Sequence, residues 1–204
     1  MGKPTPELLS ESFRVLRYLR RTRDLGLRYQ ASERPAHGYS DSDWGVKHST
    51  TGWVFCLNKA AVSWGSKKQK SVALSSCEAE IMAASDAAKE AAHLTRLAAE
   101  LGMGDSEPCD LFMDNKSAID VAYNPEHHGR MKHVERRHFF VRELVEQHVI
   151  RVPFVNTDRN LGDFFTKWFP PKRFFRLRDK IMNVAPEECG DGGALSVEGL
   201  ADPV

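Results

Sequence analysis

The chemistry open to this sequence rests on carboxylates. Four of them, Asp41, Glu80, Asp114 and Asp163, are the candidates, each with an ordinary structural reading beside the chemical one. Glu80 falls in the alanine-rich run after Ser75. By helical steps it lines up with Ala84, Ala87, Ala91, Leu94 and Ala98. That small apolar face must pack on another layer, and an ionised carboxylate there is costly unless it is paired or binds a metal. The alternative is an acid at a first helical turn, favoured by the helix dipole. Glu78 differs, because it shares a face with Met82, Ser85, Lys89, Arg96 and Glu100, read as a solvated stripe, and completes the capping box Ser75-x-x-Glu78.

Asp114 follows the apolar run 110–113. It is either a ligand group at a strand end or the N-cap of the next helix. Asp41 alternates with Tyr39 and Asp43 on one strand face, and Asp43, beside Trp44-Gly45, is the better turn residue. Asp163 sits in a first helical turn with Lys167 four residues on, an arrangement routine in any helix. Four such acids suit phosphodiester hydrolysis with two divalent metals. Mg²⁺ takes carboxylate oxygens and keeps waters, one ion activating the nucleophile and the other stabilising the leaving oxygen. The four cysteines are dispersed with no C-x-x-C pair, and His127, His128, His133 and His138 match no standard metal spacing. Reduced thiols in an intracellular setting follow.

The elements that must position these acids can be read from periodicity. Leu9, Phe13 and Leu16 mark an opening helix with Arg14, Arg17, Arg20, Arg21 and Arg23 on its other faces; residues 25–29 read as a short strand and 31–37 as a linker. Strands are expected at 38–44, 52–57 and 60–64, with Asn58-Lys59 as the hairpin turn and a basic connector over 65–70. A long helix runs from the Ser75 cap to Gly102. Then come a strand at 110–113, a helix at 116–123, a helix at 134–147 and a strand at 149–155. Leu161, Phe164, Phe165 and Trp168 mark a further helix ended by Pro170-Pro171, and a last helix spans 172–182. Beyond residue 184 there are acids but no Lys or Arg, which reads as a disordered tail. Antiparallel strands first and parallel units second imply an α/β fold, a mixed sheet with helices packed on it.

At 204 residues, 41% hydrophobic and 28% charged, the chain can bury a core. Its net charge of +1 means that nucleic-acid binding would have to come from local patches. No apolar run approaches the ~20 residues needed to span a bilayer, so no membrane partner is expected.

Several longer stretches carry a resemblance. Gly38-Tyr39-Ser40-Asp41-Ser42-Asp43-Trp44, Ser49-Thr50-Thr51-Gly52, Ser63-Trp64-Gly65-Ser66-Lys67-Lys68-Gln69 and Ala73-Leu74-Ser75-Ser76-Cys77-Glu78-Ala79-Glu80 resemble the ribonuclease H domain of Copia-type (Ty1/copia) retrotransposon Pol polyproteins. So do Asp114-Asn115-Lys116-Ser117-Ala118, Lys132-His133-Val134-Glu135-Arg136-Arg137-His138 and Asn160-Leu161-Gly162-Asp163-Phe164-Phe165-Thr166-Lys167. The resemblance implies a five-stranded mixed sheet of the ribonuclease H-like fold. It also implies catalytic and metal-binding roles for Asp41, Glu80, Asp114 and Asp163 with two Mg²⁺ or Mn²⁺ ions, and endonucleolytic cutting of the RNA strand of RNA–DNA hybrids. By the same likeness, residues 1–34 are the tail of the reverse transcriptase connection, 35–169 the ribonuclease H domain, 170–183 a C-terminal helix and 184–204 the tail. The reverse transcriptase of the same polyprotein is the implied partner, in cytoplasmic virus-like particles and the nucleus. One departure is that the stretch Asn156-Thr157-Asp158-Arg159 lacks the histidine that many cellular ribonucleases H carry before the last Asp.

Lys67, Lys68 and Lys70, with Asn115, Lys132, Arg136 and Arg137, are the candidate nucleic-acid contacts. Lys and Arg would make sequence-independent, salt-sensitive phosphate contacts, and 2′-OH contacts would select RNA. The bland reading of each is a solvated surface charge. Two rival functions stand beside the nuclease: a non-catalytic, domesticated nucleic-acid-binding or structural remnant, and a DNA nuclease or transposase of related fold.

Overall fold

The computed structural model describes residues 5–45, 47–103, 107–123 and 135–184, without the side chains of Glu135, Arg136 and His138. Five strands form one sheet in the order β3-β2-β1-β4-β5. β1 (His37–Asp43) pairs antiparallel with β2 (Thr50–Leu57), and β2 with β3 (Ala60–Lys68). On its other side β1 pairs parallel with β4 (Cys109–Phe112), which pairs parallel with β5 (Ile150–Arg151). The β2–β3 turn is the expected one, with Asn58 and Lys59 both at positive φ, 52° and 71°, as a type I′ hairpin requires.

Period-two alternation divides the core. Phe55 faces one layer with Leu111, Met113, Ile150 and Val152, while its neighbours Val54 and Cys56 face the other with Tyr39, Leu161, Leu177 and Ile181. The first layer is covered by α2 (Ser76–Glu100), α3 (Lys116–Tyr123) and α4 (Glu135–Glu146). Ala84, Ala87, Ala88 and Ala91 of α2 are all buried there. Their small side chains bring the helix backbone close to the sheet, so enlarging one would cost ~1–3 kcal/mol. The second layer is covered by the 157–169 segment and α5 (Pro171–Met182), whose Leu177 is fully buried.

α1 (Pro6–Arg21) stands apart from this packing. Its N-terminus is capped by the Thr5 hydroxyl, which accepts from the Leu8 N–H, with Pro6 at the first turn, yet it buries no residue. Its ties to the rest include Tyr18 edge-on to Phe174 at 5.7 Å. Residues 25–30 are not the expected strand. They run extended, held by Arg28 N–H to Met182 O, Gln30 N–H to Asn58 O and Tyr29 Oη–H to Ala61 O. These hydrogen bonds go to different elements, so no ladder can form.

Three further expectations are corrected. The basic connector over 65–70 is largely strand, because β3 extends to Lys68 and pairs Lys67 with Thr51. The strand expected over 149–155 is two residues long, followed by a single bridge between Met113 and Phe154. Val152 N–H donates to Tyr123 Oη and Pro153 has no N–H, which interrupts the ladder. The helix expected at Leu161 is a 3₁₀ turn, Leu161–Phe165. Its start is held by Asn160, whose Oδ1 accepts from Gly162 N–H while its Nδ2 donates to Ser40 O. Pro170 and Pro171 leave no room for a longer helix before α5. The expected tail beyond residue 184 lies outside the described residues.

Candidate active site

Because β1 and β4 are parallel, their C-terminal ends lie at the same edge of the sheet. Asp41 reaches that edge from β1 and Asp114 from the turn after β4, while Glu80 comes from the first turns of α2. One carboxylate oxygen from each of Asp41, Glu80 and Asp114 lies within 4.8 Å of the other two. Asp41 and Glu80 are buried, at 1% and 6% exposure, and Asp114 is half-buried. Glu80 Oε1 accepts from the Ser42 N–H at 3.3 Å, whereas among the described residues its buried Oε2 has no hydrogen-bond partner. Among the described residues neither Glu80 nor Asp114 forms an ion pair.

Asp163 does not belong to that trio. It is completely buried and faces two cations, one of which it shares with Asp41. Lys167 Nζ is 2.6 Å from Asp163 Oδ1 and 3.1 Å from Asp41 Oδ1, and Arg173 Nη2 is 2.8 Å from Asp163 Oδ2. The Thr166 hydroxyl donates to Asp41 Oδ2. The 3₁₀ turn can come this close because Gly162 lies against β1, where an added Cβ would fall 2.9 Å from Ser40 C and 3.0 Å from Asp41 N. Gly52 on β2 makes the same allowance, since a Cβ there would meet Thr166 Cγ2 at 2.6 Å.

Burial pushes Asp41 up to about 7, against the pull of Lys167 and the Thr166 hydrogen bond, with Asp163 and Asp114 adding repulsion. Burial likewise pushes Glu80 up to about 8, reinforced by Asp41 and Asp114. For Lys167 burial acts downward, but the Asp41 and Asp163 carboxylates together hold its ammonium well above the usual range. Ionising all three acids is therefore opposed by burial and by their mutual repulsion, which a bound cation would relieve. The trio's all-oxygen donors and the orphaned Glu80 Oε2 fit a hard divalent cation.

Glu78 keeps its capping role, with its N–H donating to Ser75 Oγ and its Oε2 accepting from Leu74 N–H. It is nevertheless buried, together with Met82 and Ser85, so the stripe read as solvated is packed at this end of the helix. Asp43 is exposed. Asn115 Oδ1 accepts from Ala118 N–H and caps α3. Lys67, Lys68 and Lys70 are exposed at the end of β3, which meets the 3₁₀ turn where Ser66 Oγ donates to Phe165 O at 2.6 Å. Lys67 is already engaged, pairing with Asp86 at 3.1 Å and lying 5.0 Å over the Trp53 ring. Arg137 is half-buried, whereas Lys132, His127, His128 and His133 and the side chains of Arg136 and His138 lie outside what is described. Thr166 and Arg173 went unread in the sequence. Arg173 lies ten residues beyond Asp163, and no local periodicity links them.

Over 171 residues the chain is 38% identical to a retrovirus-related Pol polyprotein from transposon TNT 1-94 of Nicotiana tabacum, covering 82% of this chain and 13% of that polyprotein. Over 196 residues it is 35% identical to the Pol polyprotein of transposon RE2 of Arabidopsis thaliana, covering 93% of this chain and 14% of that one. The chain belongs to the Copia-type retrotransposon Pol polyproteins. The Copia-type segment also has the ribonuclease H fold. A ribonuclease H1 isolated from compost superposes with a TM-score of 0.50 at 11% identity, covering 64% of this chain and 91% of that one. A secreted RxLR effector protein of Plasmopara viticola is 47% identical over 97 residues, covering 45% of this chain and 68% of that protein. No protein-family model matches the chain.

Proposed function

We propose that this Copia-type segment is a divalent-metal-dependent ribonuclease H that cuts the RNA strand of RNA–DNA hybrids during retrotransposon reverse transcription. The observation that carries the reading is the convergence of Asp41, Glu80 and Asp114, with a buried and unpartnered Glu80 oxygen, at the sheet edge of a ribonuclease H fold. These three would hold one Mg²⁺ or Mn²⁺, and Asp41 with Asp163 would hold a second. Such an ion supplies Lewis-acid polarisation of the phosphoryl group and a more acidic water. The chain's own residues do the remaining work. Ser42 N–H orients Glu80 and Thr166 orients Asp41, while the exposed Lys68 and Lys70 are suited to hold backbone phosphates beside the site.

The reverse transcriptase of the same polyprotein is the proposed partner, and virus-like particles and the nucleus the proposed setting. Support for the partner comes from α1, where Leu9, Phe13 and Leu16 are each more than half exposed. No helix of the described residues is long and apolar enough to cross a membrane.

The test is cleavage of labelled RNA–DNA hybrid, double-stranded RNA and double-stranded DNA in Mg²⁺ or EDTA. Only the RNA of the hybrid should be cut, only with metal, and not by Asp114→Asn. A second reading, a domesticated module without turnover, draws on the effector likeness. It requires hybrid binding with no cleavage in either metal.

A further inference from the structure

The acids grouped with Asp41 differ in what balances their charge. Among the described residues Glu80 and Asp114 form no ion pair, and Asp41 meets a cation only on the oxygen that Lys167 touches. Towards Asp163, Lys167 and Arg173 face the two carboxylates, and four formal charges cancel. The Lys167 ammonium touches one oxygen of each acid, at 3.1 and 2.6 Å. A divalent ion bridging the same pair would need that place. Arg173 takes the other oxygen of Asp163 and lies over the Phe169 ring at 4.6 Å, so it fixes the carboxylate without entering the gap. Lys167 is one-third exposed on a flexible four-carbon stem, whereas Asp163 is wholly buried, so the lysine is the member of the pair able to leave.

We infer that Lys167 is a built-in cation that occupies the position of the second divalent ion. The free chain then loads one ion, at Asp41, Glu80 and Asp114, and accepts the second only when Lys167 is drawn away. An incoming phosphate, anionic and arriving at this edge, is the chemistry that would draw it. The inference rests on the metal-site reading above and adds the order in which the site fills.

The experiment counts ions on the full chain without nucleic acid, using Mn²⁺ by electron paramagnetic resonance and Mg²⁺ by calorimetry. The wild type should bind one ion tightly and a second at least about tenfold more weakly, because a unit positive charge at contact distance opposes it. Lys167→Met should tighten the second ion by at least about tenfold. Adding Asp163→Asn should remove that second ion and leave the first. Two ions of equal affinity in the wild type would overturn the inference, a result that needs no variant to fold. So would a Lys167→Met protein, folded by circular dichroism, that shows no gain. Absence of any bound ion in all three proteins would overturn the metal-site reading itself, and this inference with it.

Discussion

Asp163 and Glu80 are both buried acids within reach of Asp41's neighbourhood, yet their surroundings treat them oppositely. Asp163 has each oxygen matched to a cation, Lys167 on one and Arg173 on the other. Glu80 has one backbone N–H and, among the described residues, an oxygen with no hydrogen-bond partner. A buried ion pair is costly to break from one side, because the abandoned charge stays in low dielectric. An unpaired buried carboxylate is costly as it stands. Asp163 is therefore held by the fold, whereas Glu80 is a strain that the fold tolerates. Such a strain is a reason to look for chemistry.

The largest effect expected from breaking this contrast is on turnover. Asp114→Asn and Glu80→Gln should each lower hybrid cleavage by about 10²–10³-fold, the rate equivalent of losing several kcal/mol of metal-assisted stabilisation. Glu78→Gln should instead leave cleavage within a few-fold and lower stability by ~1 kcal/mol through its cap, read by urea unfolding. Equal losses from Glu78 and Glu80 would remove the distinction between them.

Stability in EDTA should separate the two acids next. Asp163→Ala leaves Lys167 and Arg173 facing a void and should cost ~3 kcal/mol, at the lower end for buried pairs because both cations are about one-third exposed. Above about pH 8, where Glu80 is ionised, Glu80→Gln removes an uncompensated charge and should raise the melting temperature of the metal-free chain. A fall there would show that the glutamate is paired in solution.

The pH response should have an unusual sign. Asp41 and Glu80 sit at about 7 and about 8 in the fold, above their ordinary range near 4. Between those limits the folded state binds more protons than the unfolded state, so unfolding free energy falls as pH rises. The metal-free chain should therefore lose stability from about pH 5 to pH 8 through these groups, and saturating Mg²⁺ should flatten the loss. Thermal melts across pH with and without metal would check this, and the same slope in both would contradict it.

Smaller effects belong to the approaches that bring the 3₁₀ turn in. Gly162→Ala places a Cβ 2.9 Å from the β1 backbone and should cost ~1–3 kcal/mol, with Asp163 displaced from Asp41. Smallest of all, Lys68→Ala or Lys70→Ala should weaken hybrid binding evenly across sequences and reduce the salt slope by about 1 each. An unchanged slope would return these lysines to the role of solvated surface.

Wherever structure depends on near neighbours, the chain could be read directly. The Asn58-Lys59 hairpin, the Ser75–Glu78 cap and the buried alanine face in line with Glu80 all follow from local stereochemistry and helical phase. Asp114 at the end of β4 follows from an apolar run that stops. Motif likeness, rather than local physics, marked Asp41 over Asp43 and raised Asp163 at all. What could not be read was the state of those acids. The sequence already offered Lys167 as a partner for Asp163 at helical spacing. Only the packed chain puts the same ammonium on Asp41, in a turn that is not an α-helix, and brings Arg173 onto the remaining oxygen. Pairing across distant segments depends on where β1, the 3₁₀ turn and α5 meet, and that meeting is decided by backbone approach at Gly52 and Gly162. A carboxylate's charge is a property of everything within a few ångströms, whereas its place in the sequence records only its neighbours along the chain.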